Sequence, residues 1–183
     1  MTAAIVLAAG ASTRLGEPKQ LVMLGTETLL DRAVRIASEA GCSPVIVVLG
    51  AEAEQIREQC DLSGAVIVMN PRWQEGMASS IRVGVSAVGG AGGVVLMTCD
   101  QPAVTPEHLL ALTASGDVTA SAYAGRRGVP AFFPALSFSA LMELTGDAGA
   151  QKLLRNAAAV ELASGELDVD TAADRTAAEQ LFR

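Results

Sequence analysis

Apolar and polar positions fall into blocks whose period changes along the chain. Ala3-Ala4-Ile5-Val6-Leu7 is an unbroken apolar run that predicts a buried strand, and Val45-Ile46-Val47-Val48-Leu49 predicts a second. Val66–Met69 and Val94–Thr98 read as a third and a fourth. Between them the period lengthens. Leu29, Leu30, Ala33, Val34, Ile36 and Ala37 form one stripe of a helix over Thr28–Ala40, with Gly41 at its end. A polar helix is expected around Glu52–Cys60, and Met77, Ile81, Val85 and Val88 recur at helical spacing. Thr105-Pro106-Glu107 supplies a cap, a proline at the first position and an acid in the first turn of another helix. Val118–Tyr123 and Val129–Phe133 predict two further strands joined across Gly125-Arg126-Arg127-Gly128, and Asp170–Asp174 resembles the capped start of a last helix. Gly89-Gly90-Ala91-Gly92-Gly93 reads as a flexible connector.

Continuous apolar strands between helices predict an α/β fold, a three-layer sandwich with a mostly parallel central sheet. Its 183 residues correspond to one domain, 1–183. Half the residues are hydrophobic and 18% are charged, which excludes disorder. No apolar stretch is as long as a membrane span, and the N-terminus lacks a basic leader, so a cytoplasmic location is expected. Cys42, Cys60 and Cys99 lie far apart without metal spacing and read as reduced, buried thiols. A net charge of −7 speaks against nucleic acid as a partner. An anionic small ligand then needs local cations and a metal.

Such local cations occur directly after the first strand. Leu7-Ala8-Ala9-Gly10-Ala11-Ser12-Thr13-Arg14-Leu15-Gly16-Glu17-Pro18-Lys19 joins small residues and two glycines to an arginine and a lysine. Backbone N–H groups in such a loop approach phosphates closely, and the cations meet their charge. The spacing is neither of two common phosphate motifs. A P-loop has four residues between its glycines, whereas five separate Gly10 from Gly16, and Glu17-Pro18 precede Lys19. The dinucleotide fingerprint fails because positions 12 and 15 are Ser and Leu. Two more loops leave strand ends, Asn70–Gly76 and Cys99–Pro102, and ligands of open α/β sheets bind at such ends.

Three blocks together, Leu7–Leu21, Asn70–Arg82 and Cys99-Asp100-Gln101-Pro102, resemble nucleotidyltransferases of the molybdenum cofactor cytidylyltransferase (MobA-like) type. These belong to the glycosyltransferase-A-like group of NTP transferases, so the resemblance implies a Rossmann-like nucleotidyltransferase fold. It implies a nucleotide cradle of Leu7, Ala8, Ala9, Gly10, Ser12, Thr13, Arg14, Leu15 and Gly16, with Lys19 on the triphosphate and Gly76, Ser79 and Ser80 near the base. Asp100 becomes a metal ligand for Mg²⁺, and Asp170, or alternatively Asp168, a second. Ala8-Ala9-Gly10 favours CTP over GTP as donor, and the implied acceptor is the molybdopterin phosphate. A sugar or polyol phosphate is the alternative acceptor, and a non-catalytic cofactor carrier the alternative class. Docking to a molybdoenzyme or its chaperone is a further implication.

The chemistry fits these residue types. A phosphate acceptor is already an anion at neutral pH, so transfer needs charge neutralisation and in-line placement more than a strong base. Arg14, Lys19 and Asp100 are therefore the candidate catalytic residues, and the lone His108 is expected to take no part. Several positions have two readings. Ser79 and Ser80 either cap a helix or meet the base; Trp73 either packs or walls a pocket; Asp147 either caps a helix or meets substrate; Arg82 reads as an exposed helix residue.

Overall fold

The computed structural model describes residues 1–181. The strands are β1 (Thr2–Ala8), β2 (Met23–Leu24), β3 (Glu27–Thr28), β4 (Val45–Leu49), β5 (Val66–Met69), β6 (Gly93–Thr98), β7 (Thr119–Tyr123), β8 (Arg126–Pro134) and β9 (Ala158–Glu161). The helices are α1 (Leu29–Glu39), α2 (Ala53–Gln59), α3 (Met77–Ala87), α4 (Pro106–Thr113), α5 (Phe138–Met142), α6 (Gln151–Leu154) and α7 (Ala172–Leu181). Seven strands form one sheet in the order β5-β4-β1-β6-β8-β7-β9, while β2 and β3 make a small antiparallel ribbon. Pairings β1–β4, β1–β6, β4–β5 and β7–β9 are parallel, and only β8 runs against its neighbours β6 and β7. The sheet is therefore mostly parallel, as the apolar blocks predict.

The strand period of two sorts side chains into two cores. Ala4, Val6 and Ala8 of β1 face α1, α2 and α4 through Leu30, Val34, Ile56 and Leu109. Ala3, Ile5 and Leu7 face the other way, onto Ile81 and Val85 of α3, Leu141 of α5 and Leu154 of α6. That is the three-layer sandwich. Gly84 is the close-approach point of α3 on the sheet, since a Cβ there would stand 2.6 Å from Cγ2 of Ile5. A third, smaller cluster joins Val22, Leu24 and Leu29 to Val169 and Ala178, tying α7 to the ribbon.

Helix starts agree with the sequence. Thr28 Oγ1 accepts from the Asp31 amide at 3.0 Å and Thr105 Oγ1 from the His108 amide at 3.2 Å. Thr171 and Asp174 cap α7 reciprocally, at 2.8 Å (Thr171 N–H to Asp174 Oδ2) and 3.3 Å (Asp174 N–H to Thr171 Oγ1). The glycine stretch 89–93 is the correction. Gly93 opens β6, and a Cβ on it would lie 2.6 Å from the Phe132 ring, so packing rather than flexibility requires glycine there. Gly92 is held as well, by 2.9 Å bonds to Met1 O and from the Ala135 amide. The third strand, β5, is an edge, with Val66 and Met69 about half exposed. Short elements without a periodic block, β2, β3, α5, α6 and β9, carry little signal in the sequence. Among the described residues no helix is long and apolar enough to cross a membrane.

Candidate active site

The opening loop leaves β1 at the sheet's centre and is pinned from below. The buried Gln20 donates through Nε2 to Ala8 O at 2.7 Å and to Gly10 O at 3.1 Å. Ser12 adopts a left-handed conformation (φ 51°), accepts from Leu15 N–H at 3.1 Å through its carbonyl, and from Lys19 N–H at 3.0 Å through Oγ. Gly16 also has positive φ, 81°, which favours glycine. Gly10, Ser12, Thr13, Arg14, Leu15 and Lys19 border a small cavity of about 160 Å³. Ala8 is buried beneath it. Gln20 is thus the structural anchor of the loop, a role that nothing in the phosphate-loop spacing announces.

Four charges meet beside this cavity. Lys19 Nζ stands 2.5 Å from Asp100 Oδ2 and 2.9 Å from Asp170 Oδ1, and an Arg14 guanidinium nitrogen lies 2.7 Å from Asp170 Oδ2. Asp100 follows β6 by two residues, next to β1, so the sheet itself places it against the loop. Asp170 comes from far along the chain. The Val169 amide donates to Asp100 O at 2.9 Å, which fastens the 168–170 segment to the end of β6. Burial alone pulls the Lys19 ammonium down, yet the charge and hydrogen bond of Asp100, joined by Asp170, hold it well above the ordinary lysine value. Burial raises Asp168, and the neighbouring Asp100 and Asp170 charges add to it, so its carboxyl titrates near 6. Burial likewise raises the Cys99 thiol, and all three cysteines are free and buried.

Two larger cavities flank the cluster. One, of about 490 Å³, is bordered by Leu7, Ala9, Gly10, Trp73, Gly76 and Ser80. The other, of about 390 Å³, lies against Gln101, Tyr123, Arg126, Arg127, Asp168 and Asp170. Lys19, Met77, Thr98, Asp100 and Asp147 border both. Trp73 joins the two readings of it, since it packs on the α3 core and walls the first cavity.

The serines separate. Asn70 Nδ2 donates to Ser79 Oγ at 2.8 Å and to Ser80 Oγ at 2.9 Å, yet only Ser80 borders the cavity. Ser79 Oγ lies 3.0 Å from Arg72 O and 2.9 Å from Gly76 O, so its hydroxyl closes the turn into α3. Arg82 is no bare surface residue. It donates to Leu144 O and faces Glu75 at 3.6 Å, which docks the 144–147 loop on α3. Gly76, at φ 103°, lies so close under that loop that a Cβ would meet the Gly146 carbonyl at 2.7 Å. Asp147 is thereby set at the boundary between the cavities.

Arg126, Arg127, Tyr123 and Gln101 are members of the site that sequence reasoning passes over, the arginines because they read as a turn. The Arg126 guanidinium sits 5.2 Å over the Tyr123 ring. Tyr123 O–H donates to Val129 O at 3.1 Å and receives from Gln101 Nε2 at 3.4 Å. His108 is remote from all of this, buried with Nε2 2.7 Å from Ser121 Oγ.

The donor set suits a hard divalent cation in one respect. Asp100 Oδ1 is buried without a hydrogen-bond partner, an acceptor turned away from water. Among the described residues no group of three or more His, Cys, Asp or Glu side chains could hold a metal by itself. Any cation here draws its remaining ligands from substrate oxygens and water, the habit of Mg²⁺.

Comparison with known proteins identifies the family and the fold. The model of the MobA-like NTP transferase domain matches residues 4–162. Nicotine blue oxidoreductase of Paenarthrobacter nicotinovorans is 32% identical, over 98% of this chain and 94% of its own. The molybdenum cofactor cytidylyltransferase of Escherichia coli is 32% identical over 46% of this chain and 44% of its own. The crystal structure of Rv0371c from Mycobacterium tuberculosis superposes with a TM-score of 0.87 at 34% identity, covering 98% of this chain and 97% of that one. A second structure of Rv0371c, in complex with manganese, gives 0.81 at 30% identity and covers 98% of each chain. A phosphate-type loop, a carboxylate pair at the end of a parallel sheet and a match over nearly the whole chain lead to one conclusion: the protein is a nucleotidyltransferase and belongs to the MobA-like NTP transferase family.

Proposed function

We propose that the protein transfers CMP from CTP to a phosphorylated acceptor, molybdopterin, and releases pyrophosphate. The observation that carries this reading is the placement of Lys19 and Asp100 at the border of both cavities, with Arg14 and Asp170 paired beside them on the side of the second, where the charge of an in-line phosphoryl displacement would change. The 490 Å³ cavity, continuous with the opening loop at Gly10, receives the nucleoside, with Trp73 and Ser80 on its walls. The 390 Å³ cavity, with Arg126 and Arg127, receives the acceptor.

In this arrangement an acceptor phosphate oxygen attacks the α-phosphorus while the bond from that phosphorus to the oxygen bridging the β-phosphate breaks. Lys19 and Arg14 stabilise the charge that collects on the departing pyrophosphate. Loop amides from Gly10 to Arg14 hold the triphosphate in line, and no residue has to remove a proton from an acceptor already ionised. Asp100 and Asp170 are the residues that would hold Mg²⁺, and a bound Mg²⁺ neutralises phosphate charge and aligns the reacting oxygens. Relatives named for other activities, the nicotine blue oxidoreductase included, make the acceptor the open variable of this scaffold. The arginines of the second cavity serve a sugar or polyol phosphate equally well.

Pyrophosphate release with each of the four NTPs against a panel of phosphorylated acceptors tests the reading. CTP with molybdopterin should give the fastest Mg²⁺-dependent release. Faster release with GTP overturns the donor, and release only with a sugar or polyol phosphate overturns the acceptor. No release with any pair removes nucleotidyl transfer as the activity of this site.

A further inference from the structure

Lys19 holds the same carboxylate oxygens that a metal would need. Its Nζ lies 2.5 Å from Asp100 Oδ2 and 2.9 Å from Asp170 Oδ1, and Arg14 takes the other oxygen of Asp170 at 2.7 Å. A divalent cation bridging the two carboxylates at about 2.0–2.1 Å would have to stand against the ammonium. Only Asp100 Oδ1, buried and unpartnered, is left over. Asp100 itself is 8% exposed, so water offers it little compensation. Each of the two carboxylates in direct contact already has a cation on it, and a dication added alone would face like charge at contact distance.

The ammonium has somewhere else to go. The Lys19 backbone is fixed, since its N–H donates to Ser12 Oγ at 3.0 Å and its carbonyl accepts from Val22 N–H at 3.1 Å. Its four-carbon stem borders the loop cavity and both large cavities. Rotation about that stem would turn Nζ from the carboxylates toward the loop cavity that Ser12, Thr13 and Arg14 border. Arg14, with a side chain 72% exposed, is as free to leave Asp170.

We propose that Lys19 is a built-in counter-ion that withholds the Asp100–Asp170 oxygens from a divalent cation, and that a nucleoside triphosphate draws the ammonium away and admits the metal. This rests on the nucleotidyl-transfer reading of the site. Metal and nucleotide therefore bind with positive coupling, and the metal alone binds weakly. The ordering protects the pair of carboxylates from being loaded before there is a phosphate to act on.

Mn²⁺ is the probe, titrated into the full chain while free Mn²⁺ is followed by electron paramagnetic resonance. The parent should bind Mn²⁺ at least about tenfold more tightly with a non-hydrolysable NTP analogue than without one, and Lys19→Met should bind nucleotide-free Mn²⁺ at least about tenfold more tightly than the parent. Lys19→Met leaves Asp100 without a cation and Asp170 with Arg14 alone, so its thermal midpoint should fall and Mn²⁺ should restore it. The same ion should not restore Lys19→Met/Asp100→Asn. If Lys19→Met folds only with Mn²⁺, the recovery of its far-ultraviolet dichroism is the same readout. Equal nucleotide-free affinity in Lys19→Met and parent, or no rescue by Mn²⁺, overturns the proposal. Tightening by nucleotide with no response to Lys19→Met overturns the counter-ion and leaves the transfer reading standing. A response to Lys19→Met with no tightening by any of the four analogues supports the counter-ion and counts against the transfer reading.

Discussion

Gln20 offers the most direct test of how the loop is held. Gln20→Leu keeps the side-chain volume nearly constant and removes Nε2, the donor to Ala8 O and Gly10 O. Ala8 is 2% exposed, so taking away this donor costs about 1–3 kcal/mol. Gly10 is exposed, and water replaces most of what its carbonyl loses. Against this stands Gln20 Oε1, which is buried without a partner, and its removal returns about 1 kcal/mol. The net loss is about 0–2 kcal/mol, which lowers a urea midpoint by up to roughly 1 M at a slope of about 2 kcal/mol/M. Gln20→Ala adds a cavity to the same losses and should be worse by roughly another 1–2 kcal/mol. The functional effect is larger than the structural one, because a loop freed at Ala8 and Gly10 no longer presents its amides in line. KM for the nucleotide should rise about tenfold or more, with KM for the acceptor little changed. Urea unfolding and steady-state pyrophosphate release measure the two effects. An unchanged midpoint together with an unchanged nucleotide KM refutes the anchoring role, and so does a rise confined to the acceptor.

Asp100→Ala should slow pyrophosphate release at least about a hundredfold with the far-ultraviolet dichroism spectrum unaltered; full activity would remove Asp100 from the reaction. Gly76→Ala places a methyl group against the Gly146 carbonyl at positive φ and should cost about 1–3 kcal/mol in denaturant unfolding, with nucleotide binding weakened as the 144–147 loop shifts. Burial holds the His108 imidazole below its ordinary pKa of 6.5, so the stability it contributes is complete above that value and falls as pH drops toward the folded pKa. His108→Gln should flatten the fall in thermal midpoint between about pH 7 and pH 5. Asp168 acts with the opposite sign, because its raised carboxyl gains stability as pH falls through about 6. The comparison is therefore variant against parent, and parallel curves would refute the His108 assignment.

The central sheet was legible because β1, β4 and β6 are buried on both faces, and only apolar runs satisfy that. Caps at Thr28, Thr105 and Thr171 were legible because their chemistry is local. Candidate site residues were legible where charge stands beside glycine, as at Arg14 and Lys19. Gln20 was not, for its partners are carbonyls that no side-chain pattern records. Gly93 looked like a linker because the Phe132 ring that excludes a Cβ lies some forty residues away. Arg82 was misplaced for the same reason, its partner being a carbonyl on another loop.

The arginines of the second cavity illustrate what topology adds. β7 is linked to β6 through the antiparallel β8, so β7 and β6 point the same way and both end at the site. The turn from β7 into β8 follows directly, and it brings Arg126 and Arg127 to the carboxyl-terminal edge where Asp100 leaves β6. An all-parallel continuation would have sent the chain back through a helix and put no hairpin there. The single antiparallel strand therefore divides the edge into two halves. On the β1 side are loop amides and small residues suited to a triphosphate, and on the β7 side two guanidiniums suited to a second anion. Lys19 and Asp100 lie at the boundary, where the proposed transfer would form its bond. Exchanging the 124–128 turn for an uncharged one of equal length should leave nucleotide affinity within about twofold and raise the acceptor KM about tenfold or more. A change in nucleotide affinity instead would show that the two halves do not act separately.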